Sequence, residues 1–186
     1  MKNLNKTYYA ILGMLSIAPM SGYEIKQTMQ QSTAHFWSES DGQLYPALKQ
    51  LTTQKLIICK NDKANARKKK IYHITTKGLT ELKIWLTEEP ETFSIRNELM
   101  LKLFFGANVS PTTSLDHIEA HRYQTKIILN QLYATKKELL REHKDSSHLP
   151  YWQMSLHYGI TLAEAKLTWC DDVILELTKL KRGTIR

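Results

Sequence analysis

Gly42-Gln43-Leu44-Tyr45-Pro46-Ala47-Leu48-Lys49-Gln50-Leu51, running on to Leu56, is the stretch whose reading decides the fold. Leu44, Ala47, Leu48 and Leu51 fall at i, i+3, i+4 and i+7, so one face of a helix is apolar and seats in a core. The opposite face carries Gln43, Tyr45, Lys49 and Gln50: donors, acceptors and one cation, with no catalytic pair. Asp41 is the expected N-cap. Pro46 fits only where the helix begins close before it, since proline is tolerated in a first turn and not deeper.

Working outward from this helix, the upstream sequence predicts two more. Residues 7 to 17 form the first, with Tyr8, Ile11, Leu12 and Leu15 as its buried stripe, and Ala18-Pro19-Met20 breaks it. Ser21 caps the second, with Glu24 at the capping-box spacing and Ile25 and Met29 facing inward as far as about residue 31. A loop with Phe36-Trp37 leads into the central helix. Downstream, the β-branched and aromatic runs 56–59 and 71–74 flank a polar segment and read as a hairpin. That segment, 60–70, holds six basic residues and one acid around a small Ala64-Asn65-Ala66 tip. A fourth helix, capped by Thr75 or Thr76, turns Leu79, Leu82, Trp85 and Leu86 inward and stops at Glu88-Glu89-Pro90. Three short helices closed by a two-stranded hairpin make a winged helix-turn-helix. The boundary falls at about residues 88 to 94, dividing the chain into domains 1–90 and 91–186.

The second half changes character. Residues 96 to 106 form a helix with Leu99, Leu103 and Phe104 on one side, and two long helices follow at about 114–144 and 150–181. In the last, Ile160, Ala163, Leu167, Cys170, Ile174 and Leu177 hold positions a and d of three heptads, flanked by Leu162, Trp169, Val173 and Leu180. The preceding helix is patchier: Ile118, Ile128, Leu132 and Leu139 fit a and d, while His121, Thr125 and Thr135 interrupt. Helices of about thirty residues span ~45 Å, against a radius of ~13 Å for a compact domain of this half's size. They need another surface for their apolar rows, and a second copy of the chain is the expected supplier. The fold class is therefore mainly α: an N-terminal winged helix with a two-stranded wing, and a C-terminal long-helix dimerisation domain.

The bulk numbers agree. Ordinary apolar and charged shares argue against disorder in a chain of 186 residues and net charge +8. Residues 1–90 carry 13 basic and 7 acidic side chains, against 13 and 11 in 91–186, so the excess and the expected anionic partner belong to the first half. Cys59 and Cys170 are far apart and in no metal-ligand spacing. The longest apolar runs fall well short of a membrane span, and no leader follows the first lysines, so a reducing, cytoplasmic home is expected.

The chemistry concentrates in the wing. Lys63, Arg67, Lys68, Lys69 and Lys70, with Lys60 nearby, lie at a hairpin rather than on a solvated helix, and suit a phosphate backbone. The plainer reading is a solvated hairpin tip. Gln43 suits adenine, Lys49 guanine or phosphate, and Tyr45 phosphate, though the same residues make an ordinary exposed face. Ser21, Tyr23 and Lys26 occupy the opening turn of the second helix, where free N–H groups suit phosphate oxygens; Tyr23 reads equally as a core residue with a wet hydroxyl. Catalytic patterns are wanting: His117 and His121 share i, i+4 spacing without the metalloprotease glutamate, and no GxSxG, P-loop or GxGxxG occurs. Neither an enzyme nor a cofactor is implied. Trp37, Trp85, Trp152 and Trp169 suit core or interface, although aromatics beside a dimer groove also suit a flat small molecule.

These residues resemble the PadR family of transcriptional regulators. The likeness rests on Tyr9-Ala10-Ile11-Leu12-Gly13, Pro19-Met20-Ser21-Gly22-Tyr23-Glu24-Ile25, Phe36-Trp37, Gln43-Leu44-Tyr45-Pro46-Ala47-Leu48 with Leu51, Lys70-Ile71-Tyr72-His73-Ile74-Thr75 with Gly78, and Leu82 with Trp85-Leu86. Glu98-Leu99, Lys102-Leu103-Phe104-Phe105, Tyr158-Gly159-Ile160 and Ala163-Glu164 to Trp169 are similar to the helical C-terminal domain of the longer, virulence-activator-like members. The resemblance implies a homodimer with interlocked C-terminal helices, whose paired winged helices read a pseudo-palindrome in double-stranded DNA. It implies repression in most members, with release by a phenolic acid or drug in some, and ligand-free activation in the virulence-activator branch. Family wings often carry a proline before the Arg-Lys run, where this chain has Ala66. The function expected is that of a sequence-specific DNA-binding regulator, a repressor in preference to an activator. A small aromatic effector and a second copy of the chain are its further partners, with no membrane. A winged-helix module that docks proteins is the rival reading.

Overall fold

The computed structural model describes residues 5–61, 69–91 and 96–183. They form two compact units, Met1–Glu91 and Thr92–Arg186.

The first unit is built on the helices α1 (Lys6–Ile17), α2 (Gly22–Ser32) and α3 (Asp41–Thr53), the strands β1 (Ile57–Asn61) and β2 (Lys70–Ile74), and α4 (Thr76–Thr87). Ile11, Leu12 and Leu15 of α1 meet Ile25 and Met29 of α2 and Leu44, Leu48 and Leu51 of α3 in one core, which Leu56, Ile57 and Leu82 close. Trp85 of α4 stacks on Tyr9 with ring centroids 4.5 Å apart, so α4 is anchored to α1 by an aromatic pair. The strands pair antiparallel with Cys59 opposite Tyr72. Met20, just before α2, adds a one-residue bridge to β2: its N–H donates to the Tyr72 carbonyl at 3.2 Å, and its carbonyl accepts the Tyr72 N–H at 2.8 Å.

The passage from α3 into the wing is a tight one. Lys55 takes φ 58°, a left-handed conformation that usually falls to glycine at this position. The bonds of a Schellman turn fix it: Leu56 N–H to Leu51 O and Lys55 N–H to Thr52 O, both 3.0 Å. Thr75 then caps α4, its hydroxyl accepting from the Gly78 N–H at 3.0 Å.

Two expectations for α3 need correction. Its N-cap is Ser40, not Asp41, which is the first helical residue. Pro46 consequently lies in the second turn, where it removes the donor that the Gly42 carbonyl would otherwise receive. Both residues are exposed, so the Gly42 carbonyl is open to solvent rather than buried without a partner.

The second unit comprises α5 (Glu98–Phe104), a 3-10 turn at Gly106–Asn108, and the long helices α6 (Pro111–Glu142) and α7 (Leu149–Lys181). The last two form an antiparallel hairpin. Ser110 caps α6 ahead of Pro111, which puts its start earlier than the apolar pattern suggests. Leu132, Leu156, Ile160 and Ala163 make one core of the hairpin, and Ile118, Cys170 and Leu177 another.

This changes the role of the heptad row. Ile160, Ala163, Cys170 and Leu177 are buried and Leu167 and Ile174 half-buried within a single chain, so the seam expected to meet a partner is filled by α6. The reason is proximity: a short turn makes α6 a neighbour at no translational cost, whereas a second copy must be captured from solution. Ile128, expected on the inner row of α6, faces out, and Thr125 takes a buried position. The Thr125 hydroxyl donates to the His121 carbonyl at 2.8 Å, which lets a polar residue stand in an apolar seam. Exposed apolar side chains of this unit include Phe104 and Phe105 at the α5 end, Tyr123, Ile127 and Tyr133 of α6, and Tyr151, Met154, Tyr158 and Leu162 of α7.

Candidate nucleic-acid interface

The first turn of α2, the first turns of α3 and the root of the wing converge on one polar face. Three contacts fix the convergence. The ring of Tyr45 packs over Gly22, where an added Cβ would lie 2.9 Å from its Cε1. Lys26 Nζ pairs with Asp41 Oδ2 at 2.7 Å, joining α2 to the head of α3. Lys69 Nζ pairs with Glu24 Oε1, also at 2.7 Å, joining the wing to α2.

Each side chain owes its place to local folding. The apolar stripe of α3 is buried, so Gln43, Tyr45, Lys49 and Gln50 are turned outward. Tyr45 is half exposed and Tyr23 is 68% exposed, which decides Tyr23 as a surface residue rather than a core one. Gln43 is not extended toward solvent: its Oε1 accepts from the Ser40 N–H at 3.1 Å and from the Ser40 hydroxyl at 2.8 Å. The amide that suits adenine is folded back onto its own cap. Gln50 Oε1 receives the Tyr8 hydroxyl at 2.5 Å.

Ser21 proves unsuited to the phosphate role expected of it. It is buried, and its N–H and hydroxyl both donate to Glu24 Oε2 at 2.8 Å, while its Oγ accepts the Glu24 N–H at 3.3 Å. The capping box leaves it no free donor. Lys26 and Lys69 are brought to the face but each holds a carboxylate; Lys49 of α3 and Lys70 of β2 are exposed. Lys63, Arg67 and Lys68 lie outside the described residues. Sequence reasoning missed Glu24 and Asp41 as members of this face. The signal was present, since both stand in the first turns of helices whose cations were noticed.

The Glu24 carboxyl is drawn down to about 2 from an ordinary 4.5, first by the Lys69 hydrogen bond and then by the Ser21 N–H and hydroxyl. Burial pushes the Tyr72 phenol up, with Cys59 and Tyr45 adding to it. Among the described residues, no group of three or more His, Cys, Asp or Glu is placed to hold a metal ion, and no helix is long and apolar enough to cross a membrane.

The aromatics divide. Trp37 packs against the core and donates its Nε1–H to Glu39 Oε1 at 2.8 Å, while Phe36 is exposed with His35 at its edge. In the second unit Trp152 is stacked by His148 and met edge-on by His143. A groove of about 740 Å³ runs along α6 and α7, lined by Arg122, Tyr123, Lys126 and Asp171 among others. Arg122 Nε donates to Asp171 Oδ1 across it at 2.5 Å.

Comparison with known proteins gives this face its context. Residues 11–84 match the model of the transcriptional regulator PadR-like family, and residues 95–178 match the virulence activator alpha C-terminal model. The negative transcriptional regulator PadR of Bacillus subtilis (strain 168) is 31% identical over 134 residues, which is 71% of this chain and 74% of that protein. The crystal structure of Bacillus subtilis PadR in complex with operator DNA superposes with a TM-score of 0.80 at 26% identity, over 93% of this chain and 99% of that one. The same protein in complex with p-coumaric acid gives 0.75, also at 26% identity, over 94% and 99%. A winged helix and a long-helix hairpin of this design, with a relative so similar across most of both chains, place the protein plainly: it belongs to the PadR-like family of transcriptional regulators.

Proposed function

We propose that this regulator binds double-stranded DNA as a homodimer and represses transcription from the site it occupies. The observation that carries the reading is that Tyr45 over Gly22, Lys26 with Asp41 and Lys69 with Glu24 hold the heads of α2 and α3 and the root of the wing together, with Tyr23 and Lys49 exposed on those helices. Gln43, Tyr45 and Lys49 enter the major groove, Gln43 after release from Ser40, and the wing from Lys63 to Lys70 follows phosphates or the adjacent minor groove. A two-fold dimer sets its half-sites about 34 Å apart. Domain 1–90 is the DNA-binding part and domain 91–186 the dimerisation part, and the setting is cytoplasmic.

Repression is supported by the name of the Bacillus relative, a negative regulator. A small aromatic acid is the effector class we assign, on the strength of the p-coumaric acid complex of that relative. The virulence activator match of the C-terminal unit favours one alternative, activation without ligand. Duplexes selected from a random pool provide the test, with binding followed by anisotropy against salt. The expected result is a selected pseudo-palindrome bound two chains to a site, with log K falling by about 0.9 per phosphate contact against log salt. Lys49→Ala and the pair Lys68→Ala/Lys69→Ala should each weaken it. A chain that ignores duplex DNA at low salt would leave only the protein-docking reading. A reporter fused to the selected site distinguishes repression from activation.

A further inference from the structure

A carboxylate already occupies the place on this face that attracts an anion. Glu24 is the third residue of α2. Its Oε2 takes the N–H and hydroxyl of Ser21, each at 2.8 Å, and its Oε1 takes Lys69 Nζ at 2.7 Å. A backbone N–H at a helix start, a hydroxyl and a lysine are the donor set that proteins offer to phosphate. The pair does not depend on a wandering surface lysine. Lys69 directly precedes β2, and Tyr72 of that strand exchanges both backbone bonds with Met20, four residues before Glu24. The root of the wing and the head of α2 are thus held together by the backbone, and the ion pair spans the join. Both side chains remain open to solvent, Glu24 at 41% and Lys69 at 39%, so a duplex can reach them.

We propose that Glu24 is an internal stand-in for a DNA phosphate, which competes with the duplex for Lys69 and lowers affinity for DNA of any sequence. The inference rests on the DNA-binding reading and deepens it. A phosphate arriving at the wing root meets a lysine whose charge is already matched and a carboxylate that repels it. Lys69 therefore contributes no counterion release in the native chain, although by composition it belongs with the wing cations. Glu24 stays ionised throughout the range in which duplex DNA exists, because its proton leaves at about 2, so the competitor is permanent rather than switched by pH.

Glu24→Gln isolates the effect. Glutamine serves a capping box as glutamate does, so α2 keeps its cap while the charge is lost. Binding of the full chain to a random-sequence duplex is measured by anisotropy between about 50 and 200 mM salt. The expected result is a log-log slope steeper by about 0.9, one extra phosphate contact, which makes binding about eightfold tighter at 0.1 M salt relative to 1 M. The double variant Glu24→Gln/Lys69→Gln should return to the native slope. Glu176→Gln, which strips Lys179 of its partner in the second unit, should leave the slope unchanged. An unaltered slope in E24Q, a slope that stays steep in the double variant, or an equal steepening in E176Q overturns the proposal. The two Glu24 variants share one cap, so any fraying of α2 is common to both and cancels. Loss of the underlying DNA reading looks different, since native protein would then fail to bind the duplex at all.

Discussion

The ring of Tyr45 lies over the backbone of Gly22, so close that a Cβ built there would stand 2.9 Å from Cε1 and 3.2 Å from Leu48 Cδ1. The head of α2 is seated on the exposed face of α3 through a residue that has no side chain. Gly22→Ala is expected to displace the Tyr45 ring, the freer of the two neighbours, and leave Leu48 in its core. Folding stability should change by less than about 1 kcal/mol, since alanine favours the helix and offsets part of the crowding. DNA affinity should fall several-fold. Anisotropy and thermal melting on the same sample check both halves; a large loss of stability with intact binding contradicts the assignment.

Gly78 is constrained more severely. A Cβ there would sit 2.1 Å from the Leu56 carbonyl oxygen, a backbone atom already receiving the Thr75 N–H at 3.0 Å. No rotamer relieves that clash. Gly78→Ala should cost about 3 kcal/mol, at the upper end for overpacking, because α4 must lift from the start of the wing. Urea titration of the native and variant chains reads the difference as a lower midpoint for the first unit.

Glu24 makes stability depend on acid. The folded chain sheds this proton at about 2, and an unfolded chain at about 4.5, so the contribution is complete above pH ~4.5 and fades as pH falls toward 2. Solvent reaches both partners of the ion pair, which limits the effect to about 1 kcal/mol. Melting temperatures from pH 5.5 downward should therefore drop more steeply for the native chain than for Glu24→Gln. Superimposable profiles would rule out the carboxylate as a stabilising group.

Within α6 the two isoleucines that share an apolar pattern should behave oppositely. Ile118 is fully buried beside Cys170, and Ile118→Ala is expected to cost about 3 kcal/mol through lost transfer energy and a residual cavity. Ile128 is 46% exposed, and Ile128→Ala should change the stability of the separated chain by under about 0.5 kcal/mol. Denaturation at low protein concentration tests the pair. Equal costs would mean that the hairpin packs in another register.

The sequence by itself determined the order of elements, the winged-helix class and the outward face of α3, because these follow from period and capping. A stripe at i, i+3, i+4 and i+7 can be buried in only one way, and Ser21 with Glu24 at the third helical position announces a helix start wherever it occurs. Only the tertiary structure decided which partners the polar and apolar groups found. The heptad row of α7 reads the same whether α6 or a second copy covers it, and the turn at residues 143–148 made α6 the neighbour. Lys26 and Lys69 likewise read as free cations until folding set Asp41 and Glu24 beside them, across 15 and 45 residues of chain. Periodicity reports which way a side chain faces on its own element; what stands opposite depends on how separate elements meet, and no local pattern encodes that.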